Sequence, residues 1–284
     1  MLKQRIITAL VLLAILLPAL FYPTPGPFAA VVLVLIAAAA WEWGRLNGLG
    51  MAGSLALGGG CMALCALSGS MGWLEQPLSA VWVVAGTVWV LGTVVLLRAG
   101  VAGWARIPAP VRWVLGVLAL WLAWLAAVQA RIEGINFLLS VLALVWTADI
   151  AAYFSGRAWG LRFTKNKLAP AISPGKSWEG VWGGMLGVIV MALLWVALDA
   201  HWQAAVPSFY SRLAHAGWGW FVPALLGMTA MSVSGDLIES LIKRSAGAKD
   251  SSHLLPGHGG VLDRVDALLP TLPLAMMMIS LVRA

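Results

Sequence analysis

The chain has 284 residues, of which 61% are hydrophobic and only 10% charged, with a formal net charge of +7. Soluble domains carry about 25% charged residues, so this composition leaves too little polar surface to face water and excludes an ordinary water-soluble fold. The positive excess forms no basic stripe with interleaved aromatics, which argues against nucleic acid and for anionic lipid headgroups or phosphorylated substrates as partners.

Apolar runs long enough to cross a bilayer as helix recur from end to end, without the short alternating segments of a β-barrel. The expected fold is all-α: a polytopic integral membrane protein, one domain over 1–284. Nine spans are predicted at 6–22, 27–44, 52–72, 80–97, 111–130, 135–156, 178–198, 218–240 and 266–282. The first begins MLKQRIITALVLLAILLPALFYP, with the basic start and apolar core of a signal peptide. No small-residue cleavage site precedes Pro23 and many spans follow, so it reads as an uncleaved span. Connections such as TPGP at 24–27 and IPAP at 107–110 are short and rich in Pro and Gly. In the third span, Cys61 and Cys65 read as small packing residues, since no His or further Cys joins them. The four histidines are scattered and make no zinc spacing. Residues 1–130 hold spans one to five. Residues 131–284 hold spans six to nine and two long charged connections, 157–177 and 241–265.

Charge tests this count. With the N-terminus inside and strict alternation, fifteen of the eighteen Lys and Arg residues fall on the cytoplasmic side. Only Arg131, Arg212 and Arg283 fall outside. So steep a positive-inside bias predicts N-in and C-out, with both charged connections cytoplasmic.

Acidic groups then mark where chemistry is expected. Asp149 lies inside span six (LVWTADIAAYFSG), and Asp236 lies near the end of span eight (MSVSGDLIES), with Glu239 following. Asp263 and Asp266 open span nine in LDRVDALL. A carboxylate at membrane depth costs several kcal/mol unless it pairs, protonates or binds a cation. Plainer roles exist for each. Glu239 and Lys243 are spaced i,i+4 as a helix-surface pair, Asp263 and Asp266 suit a first helical turn, and Asp149 suits a cap at a break near Ser155-Gly156 or a pair with an arginine.

The constellation points further. A returning loop would bring Asp236 and Asp263 to one rim, where two carboxylates can hold Mg²⁺ together with substrate phosphates. Lys243, Arg244, Lys249 and Arg264 suit phosphate oxygens. Pro256-Gly257-His258-Gly259-Gly260 can expose backbone N–H groups. Acid for metal, base for phosphate and glycine for close approach describe a nucleotide or polyphosphate site. Upstream, SPGKSWEG leads into span seven and offers Lys176 and Ser177 as a further phosphate contact, although the full phosphate-loop spacing is absent.

At these residues the sequence resembles the phosphatidate cytidylyltransferases, or CDP-diacylglycerol synthases. The motif runs through Ser240, Lys243-Arg244, Lys249-Asp250, Ser252, Leu255-Pro256, His258-Gly259-Gly260 and Asp263-Arg264-Val265-Asp266. The likeness extends to DIAAYFSGRAWG at 149–160 and PAISPGKSWEG at 170–180, where Ser177 stands in place of an expected Thr. The resemblance implies that CTP and phosphatidate give CDP-diacylglycerol and pyrophosphate in a Mg²⁺-dependent reaction, with K⁺ as a second cation. It also implies a homodimer in the bacterial inner membrane with a polar cavity open to the cytoplasm. Asp236, Asp263, Lys243 and Arg264 are then the expected catalytic groups, the two aspartates also holding the metal. Lys176, Ser177, Ser240, Arg244, Lys249, Asp250, His258, Gly259, Gly260 and Asp266 are the expected substrate contacts. A CTP-dependent polyprenol kinase would release CDP instead of pyrophosphate. An ion-coupled transporter using Asp149 and Asp236 would be expected to show paired repeats, and none is visible.

Overall fold

A computed structural model describes residues 2–283, and all regular secondary structure among them is helical. The first seven helices are α1 (Leu2–Phe21), α2 (Gly26–Leu46), α3 (Met51–Ser70), α4 (Ser79–Arg106), α5 (Ala109–Glu133), α6 (Ile135–Trp159) and α7 (Trp178–His201). A short α8 (Phe209–Ala216) precedes α9 (Trp218–Ser245), and α10 (Leu262–Val265) precedes α11 (Leu268–Arg283). Among the described residues nine segments are long and apolar enough to cross a membrane, in agreement with the sequence.

The departures from the expected boundaries have local causes. α4 runs beyond 97 but breaks at Gly100, whose φ of 65° only glycine adopts freely. α9 continues past 240, so Lys243 and Arg244 sit on helix rather than in a loop. The two cations in its last turn favour that helix end. The last crossing, Leu262–Val282, is split between α10 and α11. Pro270 has no N–H to give the Asp266 carbonyl four residues back, and its ring would crowd that oxygen. The Asp266 carboxylate instead accepts the Ala267 N–H at 2.8 Å. α9 crosses close to this break because Gly235 faces it. A Cβ there would lie 3.0 Å from Ala267 Cα.

α6 and α7 form the most extensively packed helix pair. Gly180, Gly183, Gly184 and Gly187 recur on one face of α7 and admit Ala148, Ala151, Ala152 and Ser155 of α6. Lipid tails are as apolar as side chains, so helices in a bilayer associate through such close small-residue packing. Outward faces of α1 and α4 carry exposed Ile, Leu and Val, suited to lipid.

Polar ties at the helix ends bear out strict alternation. At one end Arg5 Nε donates to the Gly257 carbonyl (2.9 Å) and Thr8 Oγ1 to that of Pro256 (2.9 Å). Trp104 Nε1 donates to Asn47 Oδ1 (3.0 Å), and Arg244 Nε to the Ile172 carbonyl (3.3 Å). The N-terminus and both charged connections therefore share a face. At the other end Arg131 donates to the carbonyls of Leu20 (2.8 Å) and Tyr22 (2.7 Å), and Arg212 pairs with Glu133 (2.6 Å).

The α6–α7 seam predicts sharp steric sensitivity. Gly183→Leu must displace Ser155 and is expected to lower the thermal midpoint of the detergent-solubilised protein, through overpacking worth about 1–3 kcal/mol. Gly60→Ala, where a Cβ meets open space, should leave the midpoint unchanged. Equal midpoints for the two would show that the seam is not tightly packed.

Candidate functional site

Polar groups converge at the end of the bundle that carries both charged connections. Asp263 occupies the single turn of α10 with its oxygens fully engaged. Its Oδ2 accepts the N–H groups of Ser251 (3.0 Å) and Gly260 (2.8 Å) and the Ser251 hydroxyl (3.0 Å). Its Oδ1 meets Lys243 Nζ at 2.6 Å. Lys243 also pairs with Glu239, one turn earlier on α9. That pair was expected on a helix surface, and this is corrected. The Glu239 side chain is only 3% exposed, because α10 and α11 pack over this face of α9. One lysine thus bridges two enclosed carboxylates.

Asp236 belongs to a neighbouring group. Its Oδ2 meets Lys176 Nζ at 2.7 Å and its Oδ1 accepts the Ser240 hydroxyl at 3.2 Å. Asp149 and Asp266 both lie within electrostatic reach of Asp236 and Lys176, and Asp266 also of Lys243. The structure therefore draws Asp149 into the same cluster, from a helix whose role the sequence left open. Asp236 and Asp263 stand in one charged neighbourhood, each on its own lysine, and among the described contacts they hold no common partner.

The glycine turn was read as able to expose backbone N–H groups; within it the Gly260 N–H points to Asp263 and the His258 N–H to the Leu255 carbonyl at 2.8 Å. Gly259 has φ 85°, and a Cβ on it would press on the Asp263 carboxylate. Glycine here admits carboxylates to the backbone. Arg264 is exposed and folds back, with Nε 3.0 Å and Nη2 2.5 Å from the His258 carbonyl. Lys249 and Asp250 are exposed at the rim, while Arg244 ties the two connections together through Ile172. Ser177 is the N-cap of α7, its oxygen accepting the Gly180 N–H at 3.2 Å. This leaves Lys176 as the charged member of that loop. Cys61 and Cys65 are enclosed and unjoined, far along the chain from this cluster.

Two carboxylates that hold the charged connections escaped the sequence reading. Glu179 was quoted within SPGKSWEG without a role. Its Oε1 accepts the N–H groups of Phe163 (3.0 Å) and Thr164 (2.7 Å) and the Thr164 hydroxyl (2.8 Å), fixing the first charged connection. Glu42 lies on α2, completely enclosed, and holds the second connection. The membrane-depth rule that singled out Asp149 applies equally to an acid within the run 27–44. Its position close to the end of that run masked it.

The profile of the "Cytidylyltransferase family" matches residues 3–282, nearly the whole chain. The chain belongs to that family. Among its relatives, a protein named phosphatidate cytidylyltransferase from Pseudomonas aeruginosa is 40% identical over 285 residues, covering 96% of this chain and 95% of that one. One of the same name from Haemophilus influenzae is 35% identical over 293 residues, covering 96% of both. A Thermotoga maritima protein, likewise so named, is 39% identical over 138 residues, 48% of this chain and 46% of its own. The cytidylyltransferase assignment rests on likeness along the full length and not on the C-terminal motif alone.

In this cytidylyltransferase Lys243 should be essential to folding as well as to charge. Lys243→Met leaves Glu239 and Asp263 enclosed without their shared cation. Removing one member of a buried ion set costs about 3–5 kcal/mol, so a clear drop in thermal midpoint is expected. Adding Glu239→Gln should recover part of it. An unchanged midpoint for Lys243→Met would mean that the carboxylates are solvated.

Proposed function

We propose that this chain is a phosphatidate cytidylyltransferase: it transfers the cytidylyl group of CTP to phosphatidate, giving CDP-diacylglycerol and pyrophosphate. The observation that carries the reading is full-length similarity to two proteins of that name. The paired lysine–carboxylate clusters at one end of the bundle support it chemically.

A phosphatidate oxygen attacks the α-phosphorus of CTP. The new P–O bond forms as the bond to the β-phosphate oxygen breaks and pyrophosphate departs. The attacking phosphate is already ionised, so no strong general base is required. Both substrates are anions, and the protein's task is to suppress their repulsion and align the attack. Lys176, Lys243, Arg244, Lys249 and Arg264 supply positive charge over one rim, and Ser177, Ser240, Asp250, His258, Gly259, Gly260 and Asp266 complete the surface offered to the substrates.

Asp236 and Asp263 are the groups that would hold Mg²⁺. Their donor set suits a hard cation: oxygen-only groups, each facing a lysine ammonium. Among the described residues no three acidic or imidazole groups form a metal cage, and Mg²⁺ is usually held by one or two carboxylates together with substrate phosphates. When bound, the ion neutralises charge developing on the phosphates. The family resemblance adds K⁺ as a second cation and a homodimer as the working assembly. The family resemblance also points to the bacterial inner membrane, and the Lys and Arg partition supports N-in, C-out topology with the site facing the cytoplasm, where CTP arrives from water while acyl chains stay in the bilayer.

Purified protein given labelled CTP, phosphatidate and Mg²⁺ should yield a cytidine-bearing lipid and pyrophosphate. Release of CDP with a phosphorylated lipid would point to a kinase instead. Asp236→Asn and Asp263→Asn are each expected to nearly abolish turnover, with the double variant little worse than either, because groups acting as a unit are non-additive. Near-wild-type rates in Asp236→Asn would remove that residue from the site.

Orientation has its own test. Single cysteines at Lys165, Gln203 and His253, all exposed positions, are placed in a background lacking Cys61 and Cys65. An impermeant thiol reagent applied to intact cells should label only the Gln203 site, whereas labelling at His253 would reverse the topology.

A further inference from the structure

Glu42 has no place in the C-terminal motif, yet it has as many partners as Asp263, four each. It comes from α2, 209 to 220 residues before its partners, and is 0% exposed. Its Oε1 accepts the Ser252 hydroxyl at 2.5 Å and the Val261 N–H at 2.9 Å. Its Oε2 accepts the Ser251 hydroxyl at 3.1 Å and the Leu262 N–H at 2.7 Å. Four donors converge on one side chain. A Cβ on Gly260 would collide first with the Ser251 hydroxyl and then with the Glu42 carboxylate, so the third residue of the HisGlyGly turn faces the pair that these two groups form.

Asp263 grips the same segment from the other side, through the Ser251 and Gly260 N–H groups. The Ser251 hydroxyl stands between the two acids, 3.1 Å from Glu42 and 3.0 Å from Asp263. It has one proton to donate, so the two carboxylates compete for it or share it. The amides of Val261 and Leu262, fixed by Glu42, immediately precede Asp263 and set where its Cα starts. No lysine or arginine pairs with Glu42 among the described ion pairs. Its charge is stabilised by hydrogen bonds from this segment, which is the arrangement expected of a group whose task is to fix the segment.

We infer that Glu42 is a positioning residue for cytidylyl transfer: it locks residues 251–252 and 261–262 so that Asp263 meets Lys243 and the substrates in a single orientation. The inference rests on the proposed reaction and on Asp263 taking part in it. Glu42 itself touches neither substrate. Glutamine in its place keeps the shape but presents an NH₂ where a backbone N–H now donates, so at least one amide bond is lost.

The test compares Glu42→Gln with wild type in detergent. Hydrogen–deuterium exchange of the peptide spanning 250–264 is followed without substrates, and rates are measured against Mg²⁺ and CTP concentration. Expected are faster exchange confined to that peptide and a fall in kcat, or a rise in the Mg²⁺ needed for half-maximal rate, of about 10- to 100-fold, as for other residues that orient a ligating group. A lower thermal midpoint with unchanged kcat and unchanged Mg²⁺ dependence would overturn the inference and leave a purely structural glutamate. Should Glu42→Gln fail to fold, Ser252→Ala removes one of the four bonds. It is expected to shift the Mg²⁺ requirement by about threefold, the scale of one hydrogen bond; no shift would likewise overturn the inference. If wild-type protein makes no cytidine-bearing lipid, the reaction is wrong while the exchange result still reports on the lock. If wild type is active and Glu42→Gln matches it in rate, Mg²⁺ dependence and exchange, the reaction stands and the lock does not.

Discussion

An enclosed carboxylate must have its oxygens hydrogen-bonded or paired, because the desolvation it suffers exceeds what an unsatisfied group can bear. The polar end of this molecule is shaped by that requirement. Glu42 draws in residues 251–262, Glu179 draws in 163–164, and Asp263 closes the turn from within. Loops that sequence alone would leave as flexible, charged connections are thereby given fixed backbones. The glycines at 259 and 260 follow from the same demand, since any side chain there would occupy a carboxylate's place.

Below that rim the bundle obeys a different rule. Close small-residue packing joins α6 to α7, and the α9 approach to the broken last crossing depends on Gly235. These contacts bring Asp149, Lys176, Asp236 and Asp266 into one electrostatic neighbourhood, although they derive from α6, the loop before α7, α9 and the α10–α11 break. Each lysine in the cluster rests on acid, so the site holds its cationic charge in place without leaving it bare. The positions of these lysines are restricted before any ligand arrives, and such preorganisation lowers the ordering cost of binding an anion.

Much of this was legible. Nine apolar runs, the Pro/Gly connections between them and the Lys and Arg partition fixed the number of crossings and which connections share a face, because bilayer thickness and helix rise leave little freedom. Asp236, Lys243 and Asp263 stood out through their setting. Other features were hidden for definite reasons. Helix continuation to Ser245 depends on polar residues that look like loop when read by hydropathy. The burial of Glu239 follows from α10 and α11 covering it, which no i,i+4 spacing announces. α8 is too short to register as a span. Glu42 sits near a span end, where charged residues are commonplace, and its partners lie at the far end of the chain. The sequence does not reveal that Gly259 and Gly260 also admit carboxylates, because glycine is equally suited to expose an N–H and to admit an acceptor.

The grip of α1 and α2 on the last connection also governs how the protein is made. Arg5, Thr8 and Glu42 leave the ribosome 209 to 252 residues ahead of the groups they bind at 251–262. Until residues 251–262 have been made, Glu42 lacks its four donors, and until 263–266 follow, the acid cluster lacks Asp263 and Asp266. A chain halted or cut short before that point has a nearly complete set of apolar helices and an unfinished rim. The apolar helices and the polar rim are thus completed at different points along the chain, the rim only with its last segment.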